Sequence, residues 1–169
     1  MLAGALISEE EYLHTSYEPA CEFEDGVLIA RGMGTLKHAK LQTALAAYFF
    51  RRRNAWKLEA YTELHFRIRA GKYMIPDVAV ILDPQPEGRI ATSPPLIWIE
   101  ILSPDDRPLR VNRKVKQVLE YGAPYVWVID PETMESELHT ADGVRNLEDG
   151  ILRVPGTPIE VSLSQVYED

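Results

Sequence analysis

Apolar positions follow two rhythms along this chain, and the switches between them mark its elements. In TLKHAKLQTALAAYFFRRR, Leu36, Ala39, Ala44, Leu45, Tyr48 and Phe49 recur at helical spacing behind a capping threonine, Thr35. That spacing predicts a long amphipathic helix. RVNRKVKQVLEY repeats the rhythm: Val111, Val115, Val118 and Leu119 form its apolar stripe, and Gly122 and Pro124 stop it. Alternation with period two runs through LEAYTELHFRIR around Leu64, Phe66 and Ile68, which predicts one half-buried strand. IPDVAVIL, PLIWIEIL and YVWVID read as shorter, more apolar strands, and SELHTA, GILRVP and IEVSL as weaker ones. At the start, Ser8 with Glu11 three residues on is a capping-box pattern for a short helix. Asp25-Gly26 inside ACEFEDGVLIARG signals a tight hairpin. The order of elements predicts an α/β fold, a mixed sheet with flanking helices, closed by a small β-rich C-terminal tail. With 169 residues, no internal repeat and no convincing linker, residues 1–169 are expected to form one domain.

One residue breaks the apolar pattern. Glu100 sits within PLIWIEIL, near the end of a strand. Strand alternation places Ile97, Ile99 and Ile101 on one face, and Leu96, Trp98, Glu100 and Leu102 on the other. A buried carboxylate without a partner costs several kcal/mol or takes up a proton. Glu100 is therefore expected at the mouth of a cleft, facing a cation. The preceding strand begins beside Asp77, and an antiparallel pairing of the two strands would bring Asp77 and Glu100 to the same end of the sheet. Two adjacent carboxylates repel unless a metal or a shared proton bridges them. Two oxygen ligands completed by substrate phosphate suit Mg²⁺, or Mn²⁺ in its place. In the following helix Lys114 lies on the flank of the apolar face, while Lys116 points more to solvent. Arg107, Arg110 and Lys114 recur at helical spacing as a basic stripe, read either as a solvated flank or as phosphate-binding groups beside the carboxylates.

Charge distribution adds to this picture. The net charge of −8 by itself argues against a nucleic-acid partner. Residues 26–130, however, carry sixteen bases against ten acids, while residues 1–25 carry seven acids and no lysine or arginine. A basic centre between acidic ends is compatible with a phosphate-binding face, and equally with a mixed solvated surface. The single cysteine, Cys21, excludes an internal disulfide and has no zinc-type companions. The first residues lack the basic lead and the length of a signal peptide or membrane span, so no membrane partner and a cytoplasmic location are expected.

The segments IPDVAVI, IWIEILSPDDR, NRKVKQ and YGAPYVWVIDPE, taken in this order, resemble the Uma2 family of restriction-endonuclease-like proteins, within the PD-(D/E)XK nuclease superfamily. CEFEDGVLI resembles that family's first hairpin, and GTLKHAKLQTAL its next helix, so the resemblance spans nearly the whole chain. It implies a restriction-endonuclease-like core and a metal-dependent endonuclease that hydrolyses DNA phosphodiester bonds. It also implies roles by position: Asp77 and Glu100 as metal ligands, Lys114 as the catalytic lysine, and Glu22 and His38 as additional active-site positions. The superfamily's usual lysine slot, two residues after the second acid, holds Leu102 here. In the Uma2 family the lysine moves to the next helix, where Lys114 stands. Asp106 matches a family turn and could equally cap that helix. A homodimer is also implied, since superfamily nucleases often pair to cut two strands. Two other classes stay open: a nuclease-like fold serving as a non-catalytic nucleic-acid- or partner-binding module, and a metal hydrolase for a small phosphorylated molecule, which calls for a closed pocket.

Overall fold

The computed structural model describes residues 6–168. Its elements in chain order are α1 (Glu9–His14), β1 (Cys21–Glu24), β2 (Val27–Ala30), α2 (Leu36–Trp56), β3 (Leu58–Thr62), β4 (His65–Arg69), β5 (Lys72–Met74) and β6 (Val78–Leu82). They continue with β7 (Ile90–Ala91), β8 (Ile97–Ile101), α3 (Pro108–Tyr121), β9 (Tyr125–Ile129), β10 (Ser136–Thr140), β11 (Gly143–Asn146), β12 (Ile151–Arg153) and β13 (Glu160–Ser162). Local chemistry sets several of these bounds. Ser8 Oγ accepts the Glu11 N–H at 3.0 Å and Thr35 Oγ1 accepts the His38 N–H at 3.2 Å, capping α1 and α2. Asp25 and Gly26 both have positive φ, 48° and 91°, as a two-residue hairpin turn of the right twist requires. Gly122, at φ 113°, ends α3.

The strands form two main sheets and a hairpin. A six-stranded sheet runs β11-β10-β9-β8-β6-β3 and a five-stranded sheet runs β2-β1-β5-β4-β7, while β12 pairs only with β13. In the six-stranded sheet β8 and β9 are parallel, joined through α3, and the other pairs are antiparallel. This is the mixed sheet with flanking helices that the pattern predicts. Alternation along β8 divides the interior. Ile97, Ile99 and Ile101 pack with Leu41, Leu45 and Phe49 of α2, and the β12–β13 hairpin closes over the same cluster. Trp98 faces the other side, with Val115 and Val118 of α3 and Phe66 and Met74 of the five-stranded sheet. Glu100 shares that second face, which is why it meets α3.

The structure departs from the pattern in identifiable places. LEAYTELHFRIR is two strands: Glu63, at φ 56°, turns the chain so that β3 enters one sheet and β4 the other. The period-two signal continues across the turn because both halves have one covered face. β5, β7 and β11 are three, two and four residues long, too short to show a rhythm. Leu96 packs with the α2 cluster, because it precedes the strand and escapes its alternation. On α2 Leu45, Tyr48 and Phe49 are buried as the pattern predicts, with Ala44 packed against the same cluster, but in the first turns His38 and Leu41 face inward and Leu36 and Ala39 are exposed. Among the described residues no helix is long and apolar enough to cross a membrane.

The first turns of α2 give a direct test. Leu41 is 0% exposed and Leu36 is 92% exposed. Leu41→Ala should lower unfolding free energy by about 3 kcal/mol, and Leu36→Ala by no more than about 0.5 kcal/mol. Urea melts with unchanged slope would measure both; equal effects would contradict the observed face.

Candidate active site

Between Met74 and Val78 the chain passes from the five-stranded to the six-stranded sheet through Ile75, Pro76 and Asp77. Functional groups gather at this crossing because four elements end or pass there. Pro76 has no N–H to offer a ladder, and the β6–β8 pairing begins at Val78↔Ile99. One step back in that register, Asp77 falls opposite Glu100, as the antiparallel expectation required. The Asp77 side chain finishes the ladder itself: its Oδ2 accepts the Ile101 N–H at 2.6 Å, while its own N–H donates to the Ile99 carbonyl at 3.1 Å.

Each carboxylate already has protein cations. Asp77 Oδ1 is 2.6 Å from Arg31 Nη2, and Oδ2 is 3.4 Å from His38 Nε2. Glu100 Oε1 accepts the Trp98 indole N–H at 2.5 Å and lies 2.7 Å from Lys114 Nζ. Lys114 also reaches Glu22 Oε1 at 2.8 Å and the Ile75 carbonyl at 3.1 Å, so its three protons have three acceptors. Glu22, on β1, further accepts the Ile75 N–H at 2.9 Å. The expected bare pair of carboxylates is thus a network of three acids and three nitrogen bases, built from both sheets and both long helices.

Titration follows from this arrangement. Burial pushes the Glu100 carboxyl up to about 7; Lys114 opposes the shift, and the charges of Asp77 and Glu22 add to it. Burial works against ionised Asp77 too, but the His38 hydrogen bond and the Arg31 charge outweigh it and hold its carboxyl below the usual range. Glu22 is likewise held low: the nearby Lys114 ammonium outweighs burial. The hydrogen bond to Asp77 raises His38 despite its burial. For Lys114, Glu100 and Glu22 outweigh burial and hold the ammonium charged.

Asp77, Glu100, Lys114, Glu22 and His38 all line one cleft of about 630 Å³, with Arg110 at its edge, where Arg110 Nη2 donates to the Ala30 carbonyl at 3.1 Å. Arg107 is not among the lining residues: it precedes the first turn of α3 and is exposed. Asp106 also lines the cleft, and its Oδ2 accepts the Ser103 N–H at 2.7 Å, fastening the turn before α3. Three further lining residues, Arg31, Gln42 and Glu63, had no sequence signal. Glu63 looked like one more position in an alternating strand, and Arg31 like a charge after a hairpin. Gly34 gave a weaker hint. A Cβ there would stand 2.9 Å from His38 Nδ1, so the glycine lets the loop close over the imidazole.

The network makes a pH-dependent prediction. A carboxyl whose folded-state pKa is raised keeps its proton longer in the folded than in the unfolded chain. It contributes stability at pH below the ordinary glutamate range, and that stability is lost as pH rises through about 7. In divalent-free buffer Glu100→Gln should therefore melt roughly 4 °C above wild type at pH 8 and close to it at pH 5. Equal melting at both pH values would show that Glu100 titrates normally.

Three comparisons place this geometry among known proteins. The search of curated proteins gives no match. A solved structure from Anabaena variabilis ATCC 29413, described as "a putative nuclease belonging to DUF820", superposes with a TM-score of 0.78 at 24% sequence identity, covering 96% of this chain and 98% of that one. At that identity the likeness shows a shared fold. The Uma2 family model, described as "Putative restriction endonuclease", matches residues 9–164, a span that contains every residue of the cleft network. The chain is nuclease-like in fold, and it belongs to the Uma2 family.

Proposed function

We propose that this protein is a divalent-metal-dependent endonuclease that hydrolyses phosphodiester bonds of DNA. The observation that carries the reading is the convergence of Asp77, Glu100 and Lys114 on the floor of a cleft bordered by arginine. Among the described residues no group of three or more His, Cys, Asp and Glu side chains forms a ready metal cage. The donor set nonetheless fits a hard cation: it offers carboxylate oxygens, and the Glu100 carboxyl, raised by burial despite Lys114, agrees with room for further positive charge there. Asp77 and Glu100 are the residues that would hold the ion. When bound, a divalent ion supplies Lewis-acid polarisation of a phosphoryl oxygen and acidification of water.

The chain's own groups contribute the rest. Lys114 holds a positive charge in the cleft, fixed by Glu22 and Glu100, where it can offset negative charge developing on a phosphate. His38 donates to Asp77 and fixes the orientation of that carboxylate. Arg110 at the edge supplies a backbone phosphate contact that carries no sequence information. The predominance of bases in residues 26–130 agrees with a DNA partner. A homodimer would supply the second active site for cutting both strands. One observation favours the rival binding module: Lys114 is saturated and both Asp77 oxygens are occupied by protein groups. A metal soak tests whether Asp77 and Glu100 hold an ion, and a cleavage assay with that ion separates the enzyme from the binding module.

Removing Lys114 alone would leave two buried acids without their cation, a change that destabilises by several kcal/mol. The double variant Glu22→Gln with Lys114→Gln removes one acid with the lysine and leaves only Glu100, which can take up a proton, so it should fold, yet cleave DNA with Mg²⁺ or Mn²⁺ about 100- to 1000-fold more slowly. Lys116, whose side chain is 76% exposed and lies 3.8 Å from Glu120, is the control: Lys116→Ala should show only a small, salt-sensitive loss. Cleavage by the double variant at the wild-type rate would remove Lys114 from the mechanism.

DNA affinity should fall steeply with salt. Arg110→Ala should flatten the logarithmic slope by about one unit, whereas Arg107→Ala, outside the cleft lining, should leave it nearly unchanged. Binding that ignores salt would favour a protein or small-molecule partner.

A further inference from the structure

Arg31 is the group in the cleft that the proposed chemistry leaves unexplained. It follows β2 directly, and its backbone N–H is fixed to the Ala20 carbonyl at 3.0 Å. Its guanidinium is forked. Nη2 lies 2.6 Å from Asp77 Oδ1, and Nη1 bonds Glu63. The two acids differ in kind: the Asp77 side chain is 3% exposed and the Glu63 side chain 46% exposed. Glu63 is itself positioned, since Gln42 Nε2 donates to its Oε1 at 2.7 Å and its backbone holds a left-handed turn. Gln42 also donates to the Asp77 carbonyl at 2.9 Å, tying both acids to α2.

Arg31 therefore has two anchors, one on the buried acid that would ligate a metal and one nearer solvent. A divalent ion and a guanidinium compete for Asp77 Oδ1, because two like charges held at one oxygen repel each other. The Glu63 anchor keeps the guanidinium within the cleft when it leaves Asp77. A planar fork pointing into the cleft also matches two oxygens of a phosphate. We propose that Arg31 is an internal competitor for the divalent ion at Asp77, and that a substrate phosphate, by drawing the guanidinium away, couples metal binding to substrate binding. This rests on the metal-dependent reading above and adds the regulation of that site. The coupling is reciprocal, as linkage requires: metal that displaces Arg31 offers the phosphate a free fork. If Arg31 holds Asp77 in about nine of ten molecules, apparent metal affinity is reduced roughly tenfold.

Calorimetric titration with Mn²⁺ alone, on the full chain in high salt, tests the proposal without relying on cleavage. Arg31→Gln should bind Mn²⁺ about tenfold more tightly than wild type. Arg113→Gln removes an exposed charge lining the same cleft but touching neither acid, and should match wild type once salt screens it. Arg31→Lys keeps the charge without the fork and should fall between, which preserves the test if the glutamine variant folds poorly. In a second titration at low salt, where DNA binds, a phosphorothioate-linked oligodeoxynucleotide should tighten Mn²⁺ binding about fivefold or more in wild type and leave Arg31→Gln unchanged. Mn²⁺ binding to Arg31→Gln but not to wild type would also support the competition. Equal Mn²⁺ affinity of wild type and Arg31→Gln, with loss of binding in Asp77→Asn, would overturn the role of Arg31 while leaving the metal reading intact. Absence of Mn²⁺ binding in both wild type and Arg31→Gln would overturn the metal reading and the proposal with it.

Discussion

The Lys114 ammonium lies between Glu22 of the five-stranded sheet and Glu100 of the six-stranded sheet, and the geometry of the whole cleft depends on that bridge. A largely covered charge needs oxygen partners, and the two glutamates and the Ile75 carbonyl provide one for each proton. The same contacts set the distance between the sheets at their crossing and the roll of α3 against β8. Val115 and Val118 then fall against Trp98, so packing and ion pairing select the same position of the helix.

Charge in the cleft is close to balance without reaching it. Glu22, Asp77 and Glu100 are countered by Arg31 and Lys114, and His38 leans toward its protonated form beside Asp77. The deficit appears at one residue. Asp77 and Glu22 are held ionised by their partners, whereas Glu100, placed between Lys114 and two acid neighbours, is the carboxyl whose ionisation costs most. A split of this kind between neighbouring carboxylates is typical of sites that bind cations or move protons.

Membership of the Uma2 family and the fold shared with a structure from Anabaena variabilis agree with a nuclease-like protein. Position 102, where the resemblance would usually place a lysine, holds a leucine that follows β8, packs in part against the α3-side cluster and also lines the cleft. A lysine reaching the site from α3 arrives over the same carboxylate from the next element in the chain.

Much of this was legible in the residues themselves. Periodicity marked α2, α3, β8 and β9 because each buries one face or both over enough residues to leave a rhythm, and caps and turns such as Ser8, Thr35 and Asp25-Gly26 act over three or four residues. Glu100 stood out because a carboxylate in an apolar run needs a reason, and strand alternation assigned its face. Asp77 could be set beside it from strand pairing alone. The division into two sheets could not be read, because Glu63 turns the chain without interrupting the alternation, and β5 and β7 are too short for any pattern. Nor could the inward side of the first turns of α2, where His38 and Leu41 are buried and Leu36 is exposed. Arg31 and its hold on Asp77 were invisible for a different reason: forty-six residues separate them, and an ion pair between distant positions exists only when the backbone has closed the gap. Sequence determined which groups carry charge and which faces are apolar; tertiary structure decided which charge meets which, because that depends on how sheets and helices pack rather than on the order of residues.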